Sequence, residues 1–107
     1  MLLTAGPTYE AIDPVRFIGN HSSGKMGYAL AEHAASLGAE VILVSGPVHL
    51  QPRSSNITRI SVTSAAEMYE ETHKHYTSCD IAILSAAVAD YTPVHVGEEK
   101  IKKNTDE

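Results

Sequence analysis

The residues best suited to chemistry in this sequence form one polar, glycine-rich stretch, Asn20-His21-Ser22-Ser23-Gly24-Lys25-Met26-Gly27. Apolar residues recur at helical spacing directly after it, so it ends at the start of a predicted helix. The amino terminus of a helix carries a partial charge of roughly +0.5 and unpaired N–H groups, and it binds anions. Ser22 and Ser23 are predicted N-cap residues. Gly24 and Gly27 allow the backbone to approach a ligand, and Lys25 adds a full positive charge, so the stretch predicts a phosphate site.

Three residues of this region, Gly19, Gly24 and Lys25, also fit the G-x-x-x-x-G-K pattern of a Walker A loop. Met26 stands where that loop has the Ser or Thr that binds Mg²⁺, and a thioether cannot replace a hydroxyl there. A Walker A loop also follows its strand directly, whereas Gly19 lies well beyond the first predicted strand. We therefore interpret the stretch as the same phosphate-binding physics in a different fold, with a capped helix after a flexible loop as the alternative.

The elements that position this stretch are predicted from apolar patterns. Buried or outer strands are predicted at residues 2–5, 40–45, 57–62 and 80–85. Helices are predicted at residues 24–37 and about 65–77. The second helix opens with a capping box from Ser64 to Glu67. Residues 7–23 show no sustained period, and we interpret them as a functional loop.

Strands that alternate with helices in this way predict an α/β fold with a parallel sheet. We expect a Rossmann-like, doubly wound sheet with the order 3-2-1-4, counting the predicted strands along the chain. In that order, the loops of residues 6–23 and 86–103 face each other over the carboxyl ends of the sheet. Asn20, Asp90 and the lysines of residues 100–103 then converge on whatever carries the phosphate.

The composition is that of one globular domain, with 107 residues, 43% of them hydrophobic and 20% charged. A net charge of −5 and dispersed basic residues disfavour nucleic acids and anionic membranes as partners. No apolar run approaches the ~20 residues needed to cross a bilayer, and residues 1–4 lack the pattern of a signal peptide. We therefore expect a cytoplasmic protein.

The type of nucleotide chemistry is narrowed by motifs that the sequence lacks. No G-x-G-x-x-G follows the first strand, and the second strand ends Val44-Ser45-Gly46 without the acidic residue that holds a ribose in dinucleotide-binding domains. There is also no G-x-S-x-G elbow and no set of histidines at metal-binding spacing. Nucleoside triphosphate chemistry is thus favoured. A non-catalytic nucleotide-binding module and an NAD(P)-binding, reductase-like domain stay open as alternatives.

Six motifs in order resemble the phosphopantothenoylcysteine synthetase family: Gly6-Pro7-Thr8, Asp13-Pro14-Val15-Arg16, residues 20–27, Val44-Ser45-Gly46-Pro47, Ala86-Ala87-Val88-Ala89-Asp90-Tyr91 and Lys100-Ile101-Lys102-Lys103. The resemblance covers nearly the whole chain. It implies a ligase of coenzyme A biosynthesis in which 4′-phosphopantothenate attacks the α-phosphate of CTP, giving an acyl-cytidylate and pyrophosphate. The amine of L-cysteine then displaces CMP. The resemblance further implies Mg²⁺ with the triphosphate, a homodimer and, in bacteria, common fusion to a flavin-dependent decarboxylase.

The resemblance also implies roles for single residues. Asn20 would hold the acyl-cytidylate, and Lys100 would act from a mobile flap. The predicted nucleotide-binding residues are Ser22, Ser23, Gly24, Lys25, Met26, Ala87, Asp90 and Lys102. The predicted substrate-binding residues are Arg16, Asn20 and His21. Domains of this family continue well past the flap, so we expect residues 1–107 to be a single, truncated domain that lacks the family's C-terminal part, with its activity alone left open.

Overall fold

The computed structural model describes residues 1–89 of the chain. Its elements are β1 Leu2–Ala5, β2 Tyr9–Ala11, β3 Phe17–Gly19, α1 Lys25–Ser36, β4 Val41–Ser45, β5 Ile57–Ser61, α2 Ala65–Tyr76 and β6 Ala82–Leu84. A four-stranded sheet has the order β5-β4-β1-β6, and all its pairings are parallel. The predicted α/β class and the predicted order of the four strands are therefore confirmed. Within residues 1–89, neither helix has the length and apolar character needed to cross a membrane.

Strand β1 lies at the centre of the packing. Its residues Leu2 and Leu3 are both fully buried, at 0% exposure. Because successive side chains of a strand point to opposite faces, these two residues enter different cores. Leu3 packs with Tyr28 and Ala31 of α1, whereas Leu2 packs with Met68 of α2. The two helices consequently cover opposite faces of the sheet.

Helix α1 lies unusually close to β1 because Gly27 has no side chain. A Cβ atom at Gly27 would lie 2.5 Å from the Cβ of Ala5 and 2.9 Å from the Oγ of Ser85. Real Cβ atoms do not approach other heavy atoms so closely, so any larger residue would push the helix away from the strand. Gly27 therefore serves helix packing in this fold, where the sequence had suggested close approach to a ligand.

Residues 9–19 form a β-hairpin, so their prediction as an irregular loop was wrong. Strands β2 and β3 pair antiparallel, with Glu10 opposite Ile18. The rings of Tyr9 and Phe17 stack with their centroids 4.4 Å apart. Each strand has only three residues, which is too short for a hydrophobic period to be visible in the sequence.

Contacts with a distant helix hold this hairpin in place. The Glu10 Oε2 atom accepts a hydrogen bond of 2.8 Å from the backbone N–H of Ala65, the first residue of α2. The backbone N–H of Tyr9 donates to the Thr63 carbonyl at 2.7 Å. Glu10 is buried, and a buried carboxylate is tolerated only when such donors compensate its lost hydration. The hairpin is thus a fixed part of the fold.

Strand β6 is shorter and less buried than its apolar sequence suggests. The predicted strand of residues 80–85 is reduced to Ala82–Leu84. It pairs with β1 at the edge of the described sheet, and the Leu84 side chain is 71% exposed. The apolar run therefore predicted the strand correctly but not its burial, because burial depends on what packs against the strand.

The predicted capping box is present at the start of α2. The Glu67 N–H donates to the Ser64 Oγ at 3.1 Å. The Glu67 Oε1 atom accepts from the backbone N–H groups of Ser64 and Thr63 at 3.1 and 2.7 Å. These two hydrogen bonds lower the pKa of Glu67 below its ordinary value of 4.5. The carboxylate form of Glu67 is therefore the form that stabilises the helix.

Replacing Ser64 by Ala should lower the free energy of unfolding by about 1 kcal/mol, because an N–H group of the first turn loses its acceptor. Urea denaturation monitored by circular dichroism measures this change. Thr77→Ala is the matched control, because Thr77 is exposed and follows the C-terminal end of α2. It should change stability much less. Equal losses in the two variants would contradict the role of the cap.

The lowered pKa of Glu67 also gives a pH dependence of stability. Its contribution is complete above the unfolded-state pKa and is lost as the pH falls through the folded-state pKa. As the pH falls below the ordinary pKa of 4.5, Glu67→Gln should therefore lose less stability than the parent protein does. Glu70→Gln, in an exposed residue of the same helix, should keep the parental pH profile. A parental profile for Glu67→Gln would refute the assignment.

Candidate functional site

Two loops meet at the carboxyl ends of the parallel strands. The backbone N–H of Ala87 donates to the Gly6 carbonyl at 2.8 Å, and the N–H of Thr8 donates to the Ala87 carbonyl at 3.2 Å. The Nδ2 of Asn20 donates to the Val88 carbonyl at 3.0 Å, a contact across 68 residues of sequence. The predicted meeting of loops 6–23 and 86–103 is thus confirmed for residues 86–89, the described part of the second loop.

A cavity of about 580 Å³ opens beside the start of α1. Its lining residues are Tyr9, His21, Ser22, Ser23, Lys25, Pro47, Val48, His49 and Leu50. The hairpin and the start of α1 form one wall, and residues 47–50, which follow β4, form the other, which we call the 47–50 wall. Among residues 1–89, the lining offers hydroxyl, imidazole and ammonium groups and no carboxylate. In a chain with a net charge of −5, such a cavity favours an anionic ligand.

The N-cap of α1 is Gly24, so the prediction of Ser22 and Ser23 as cap residues was wrong. Gly24 has φ +78°, a left-handed conformation that glycine adopts without strain, and no side chain caps the helix there. The Ser23 Oγ accepts a hydrogen bond of 3.3 Å from the Lys25 N–H. N–H groups of the first helical turn therefore remain for an anionic ligand.

The structure divides the predicted site residues into groups. Those that line the cavity are His21, Ser22, Ser23 and Lys25. Asn20 lies at the junction of the two loops, and Ala87 forms a parallel bridge with Pro7. Met26 is 66% exposed and does not line the cavity. The remaining residues, Asp90, Lys100 and Lys102, lie outside the described residues, and their roles stay predictions.

Arg16 lies at the turn of the hairpin, where Asp13 holds it. The Arg16 Nε and Nη2 atoms donate to the Asp13 Oδ2 at 3.1 and 2.9 Å. The Asp13 Oδ1 accepts from the backbone N–H groups of Val15 and Arg16 at 2.9 and 2.8 Å. Asp13 is only 2% exposed, so these bonds compensate the burial of its charge. The ion pair fixes the direction of the guanidinium, and substrate binding by Arg16 stays a prediction.

Two polar lining residues, Tyr9 and His49, were not among the predicted site residues. His49 follows Gly46-Pro47 at the carboxyl end of the buried strand β4. Ligands of open α/β sheets bind at the carboxyl ends of the strands, so the position of His49 after β4 is a sequence signal for a site residue. Tyr9 had no comparable signal, because its position depends on the unpredicted hairpin.

One family model and several curated proteins match this chain. The family model described as "DNA/pantothenate metabolism flavoprotein C-terminal domain" matches residues 1–107. The coenzyme A biosynthesis bifunctional protein CoaBC of Vibrio cholerae serotype O1 is 60% identical over 106 residues, which are 99% of this chain and 26% of that protein. A protein named cysteine/cysteine sulfinic acid decarboxylase, from an unknown prokaryotic organism, is 57% identical over 107 residues, which are 30% of its length. The chain thus spans less than a third of these curated relatives.

Solved structures share the fold. The crystal structure of the C-terminal domain of a CoaBC protein has a TM-score of 0.82 at 59% identity, over 89% of this chain and 48% of that one. A Cab2 mutant in complex with phosphopantothenate-cysteine has a TM-score of 0.79 at 18% identity, over 94% of this chain and 49% of that one. At that identity, the second likeness concerns the fold alone.

The close approach of the 47–50 wall to the start of α1 can be tested at Gly24. A Cβ atom at Gly24 would lie 3.0 Å from the Val48 Cγ1, whereas a Cβ atom at Gly38 has no neighbour within 4 Å. Both glycines have positive φ, so an Ala at either position costs roughly 1–2 kcal/mol in backbone strain. Gly24→Ala should destabilise the protein more than the control Gly38→Ala does, as measured by urea denaturation.

A second substitution separates strain from contact. Val48→Ala removes the methyl group that a Cβ at Gly24 would meet, so it should restore part of the stability lost in Gly24→Ala. It should restore nothing in Gly38→Ala. Additive effects at Gly24 and Val48 would contradict the contact between the wall and the helix.

Proposed function

Because the chain belongs to the family of the DNA/pantothenate metabolism flavoprotein C-terminal domain, we propose that it is part of a CTP-dependent phosphopantothenate–cysteine ligase of coenzyme A biosynthesis. The relatives named coenzyme A biosynthesis bifunctional protein support this pathway. A Cab2 mutant with the same fold has been solved in complex with phosphopantothenate-cysteine, which is the product that we propose for this reaction. Such a reaction belongs to the cytoplasm, where its nucleotide is made.

One observation carries the proposal: the hydrogen bond from Asn20 to Val88 brings the loop after β1 against the loop after β6, beside a cavity whose described lining residues include no carboxylate. Lys25 and the uncapped start of α1 face that cavity with positive charge. Phosphoryl chemistry requires chiefly the positioning of reactants and cations around developing negative charge. The described residues offer a fixed arrangement of the two loops and the positive charge of Lys25 on the side where a triphosphate would bind.

The proposed reaction has two steps. In the first, a carboxylate oxygen of 4′-phosphopantothenate forms a bond to the α-phosphorus of CTP, and the bond to the β-phosphate breaks, which releases pyrophosphate. In the second, the amine of L-cysteine attacks the activated acyl carbon, the carbon–oxygen bond to CMP breaks, and the amine loses a proton. Lys25 would hold the phosphates in the first step. Asn20 would hold the acyl-cytidylate until cysteine attacks.

The described lining does not fit a Mg²⁺ site of the protein itself, because it contains no carboxylate. Mg²⁺ binds readily to nucleotide phosphates and keeps most of its water ligands. We therefore propose that Mg²⁺ enters with CTP as part of the substrate.

We further propose that the protein is a homodimer. The hairpin turn exposes Val15 and Phe17 on either side of Arg16, at 61% and 56% exposure. A second copy that covered these apolar side chains would bury them and place Arg16 at the interface. Sedimentation equilibrium measures the assembly.

Calorimetric titration of the full-length protein with CTP, ATP and NADPH tests the proposed function. We expect CTP to bind most tightly in the presence of Mg²⁺. Preference for ATP would retain the ligase reaction with another nucleotide. Preference for NADPH would exclude the ligase and favour a reductase-like domain, and nucleotide binding without release of pyrophosphate in the presence of phosphopantothenate would favour a non-catalytic module.

Lys25→Ala should weaken CTP binding by roughly 1.5–3 kcal/mol, the scale of a hydrogen bond to a charged group. Lys74→Ala is the matched control, because Lys74 lies on α2 and contacts only Glu71 among the described residues. It removes the same charge from the surface, so it should leave CTP affinity nearly unchanged. If Lys25→Ala keeps the parental affinity for CTP and a native circular dichroism spectrum, Lys25 is a solvated surface residue and does not bind the triphosphate.

Asn20 and Lys100 should act in successive steps. In the full-length protein, Lys100→Gln should suppress pyrophosphate release, because a charge that stabilises the leaving group is lost. Asn20→Asp should retain the first step but handle the intermediate poorly, since a carboxylate replaces an amide donor beside an anion. Lys102→Gln and Lys103→Gln are the controls for Lys100. Parental rates of pyrophosphate release and of cysteine ligation in both variants would exclude these two roles.

A further inference from the structure

The 47–50 wall rests on the start of α1 without belonging to the sheet. Its Val48 side chain lies so close to Gly6 and Gly24 that a Cβ atom on either glycine would be 3.0 Å from the Val48 Cγ1. Pro47, His49 and Leu50 complete the wall. The distance between this wall and Lys25 therefore sets the width of the cavity.

Arg59, on the outer strand β5, holds the end of this wall. The Arg59 Nη1 atom donates to the Leu50 carbonyl at 2.8 Å, and the Nη2 atom donates to the Gln51 Oε1 at 3.3 Å. The Nη1 atom also donates to the Tyr28 hydroxyl at 3.2 Å. Arg59 is not among the residues that line the cavity. Its contacts thus join the wall to the body of the protein from outside the site.

The Tyr28 hydroxyl connects the same guanidinium to the core. Tyr28 belongs to α1, is 5% exposed and shares a hydrogen bond of 2.8 Å with the Ser45 Oγ at the end of β4. The planar fork of an arginine can serve several acceptors in fixed directions, which a lysine cannot do. Arg59 therefore ties three elements together: the wall, helix α1 and the strand that precedes the wall.

A second tether completes the anchoring of this loop. The Arg53 backbone N–H donates to the Glu32 Oε2 of α1 at 2.6 Å. The Arg53 side chain is exposed and makes no described hydrogen bond, so only its backbone takes part. The loop is consequently held at Leu50, Gln51 and Arg53, and Arg59 supplies the contacts closest to the cavity.

We propose that Arg59 is a positioning residue: it holds the 47–50 wall against the start of α1 and thereby sets the affinity of the cavity for the triphosphate, without touching the ligand. The proposal rests on the proposed function for the identity of that ligand. Loss of the guanidinium frees the Leu50 carbonyl, so the wall moves away from Lys25 and the anion is held from one side only. The reacting atoms are unaffected, because Arg59 does not contact them.

Kinetics of the full-length protein test this proposal. Arg59→Met should raise the KM for CTP about tenfold and change kcat less than twofold. Arg59→Lys, which can restore the bond to the Leu50 carbonyl alone, should give an intermediate KM. Arg53→Met removes the same charge from the loop that carries the wall without removing a described side-chain contact, so its KM should be parental. A parental KM in Arg59→Met, or an equal rise in Arg53→Met, would overturn the proposal, as would a fall in kcat alone.

Hydrogen exchange separates this proposal from the proposed function. The amides of His49, Leu50 and Gln51 should exchange faster in Arg59→Met than in the parent or in Arg53→Met, whichever ligand the protein binds. Parental exchange in Arg59→Met would refute positioning, whereas faster exchange in a protein that binds no CTP would refute the function instead. If Arg59→Met does not fold, the proposal is tested with Arg59→Lys and Gln51→Ala. A parental KM for CTP together with parental amide exchange in both variants would overturn it.

Discussion

The segment of residues 6–8 is squeezed between two loops, and the candidate site depends on that constraint. A Cβ atom at Gly46 would lie 1.6 Å from the Pro7 carbonyl oxygen, so only glycine permits the loop after β4 to pass there. On the other side, Thr8 exchanges hydrogen bonds with the loop after β6 through its N–H and its Oγ1, which accepts from the Ala89 N–H at 2.8 Å. Thr8 is fully buried. One short segment therefore fixes both the 47–50 wall and the partner of Asn20.

The parts of the fold that the sequence predicted well are those with local causes. Strands β1 and β4 are buried on both faces, and this burial requires the continuous apolar runs that made them visible. The limits of α1 and α2 follow from helical spacing, and the Ser64–Glu67 capping box is a contact within one helical turn. Strand order then followed from the alternation of strands and helices and from the handedness of crossovers. The meeting of Asn20 with residues 86–89 was a consequence of that order.

The errors have causes that lie far away in sequence. The hairpin is held by Thr63 and Ala65, which lie more than fifty residues after their partners Tyr9 and Glu10, and its own strands are too short to show a period. The N-cap falls on Gly24, which has a left-handed backbone and lies where a Cβ atom would be 3.0 Å from the distant Val48. His49 reaches the cavity only because the loop after β4 folds over that helix. No local pattern contains these contacts, so motif spacing identified the wall at the start of α1 and missed the facing one.

The electrostatics of the site depend on where the neighbouring acids point. The hairpin carries two buried carboxylates, and a free carboxylate beside the cavity would repel an anion in a chain that already has a net charge of −5. Glu10 instead accepts from the Ala65 N–H at the positive end of α2, and Asp13 accepts from Arg16 and from the turn. Both negative charges are thus satisfied within the protein. Among the described residues that line the cavity, Lys25 then meets no opposing charge, and the start of α1 has no side-chain cap. An acidic domain can in this way present a cavity with positive charge.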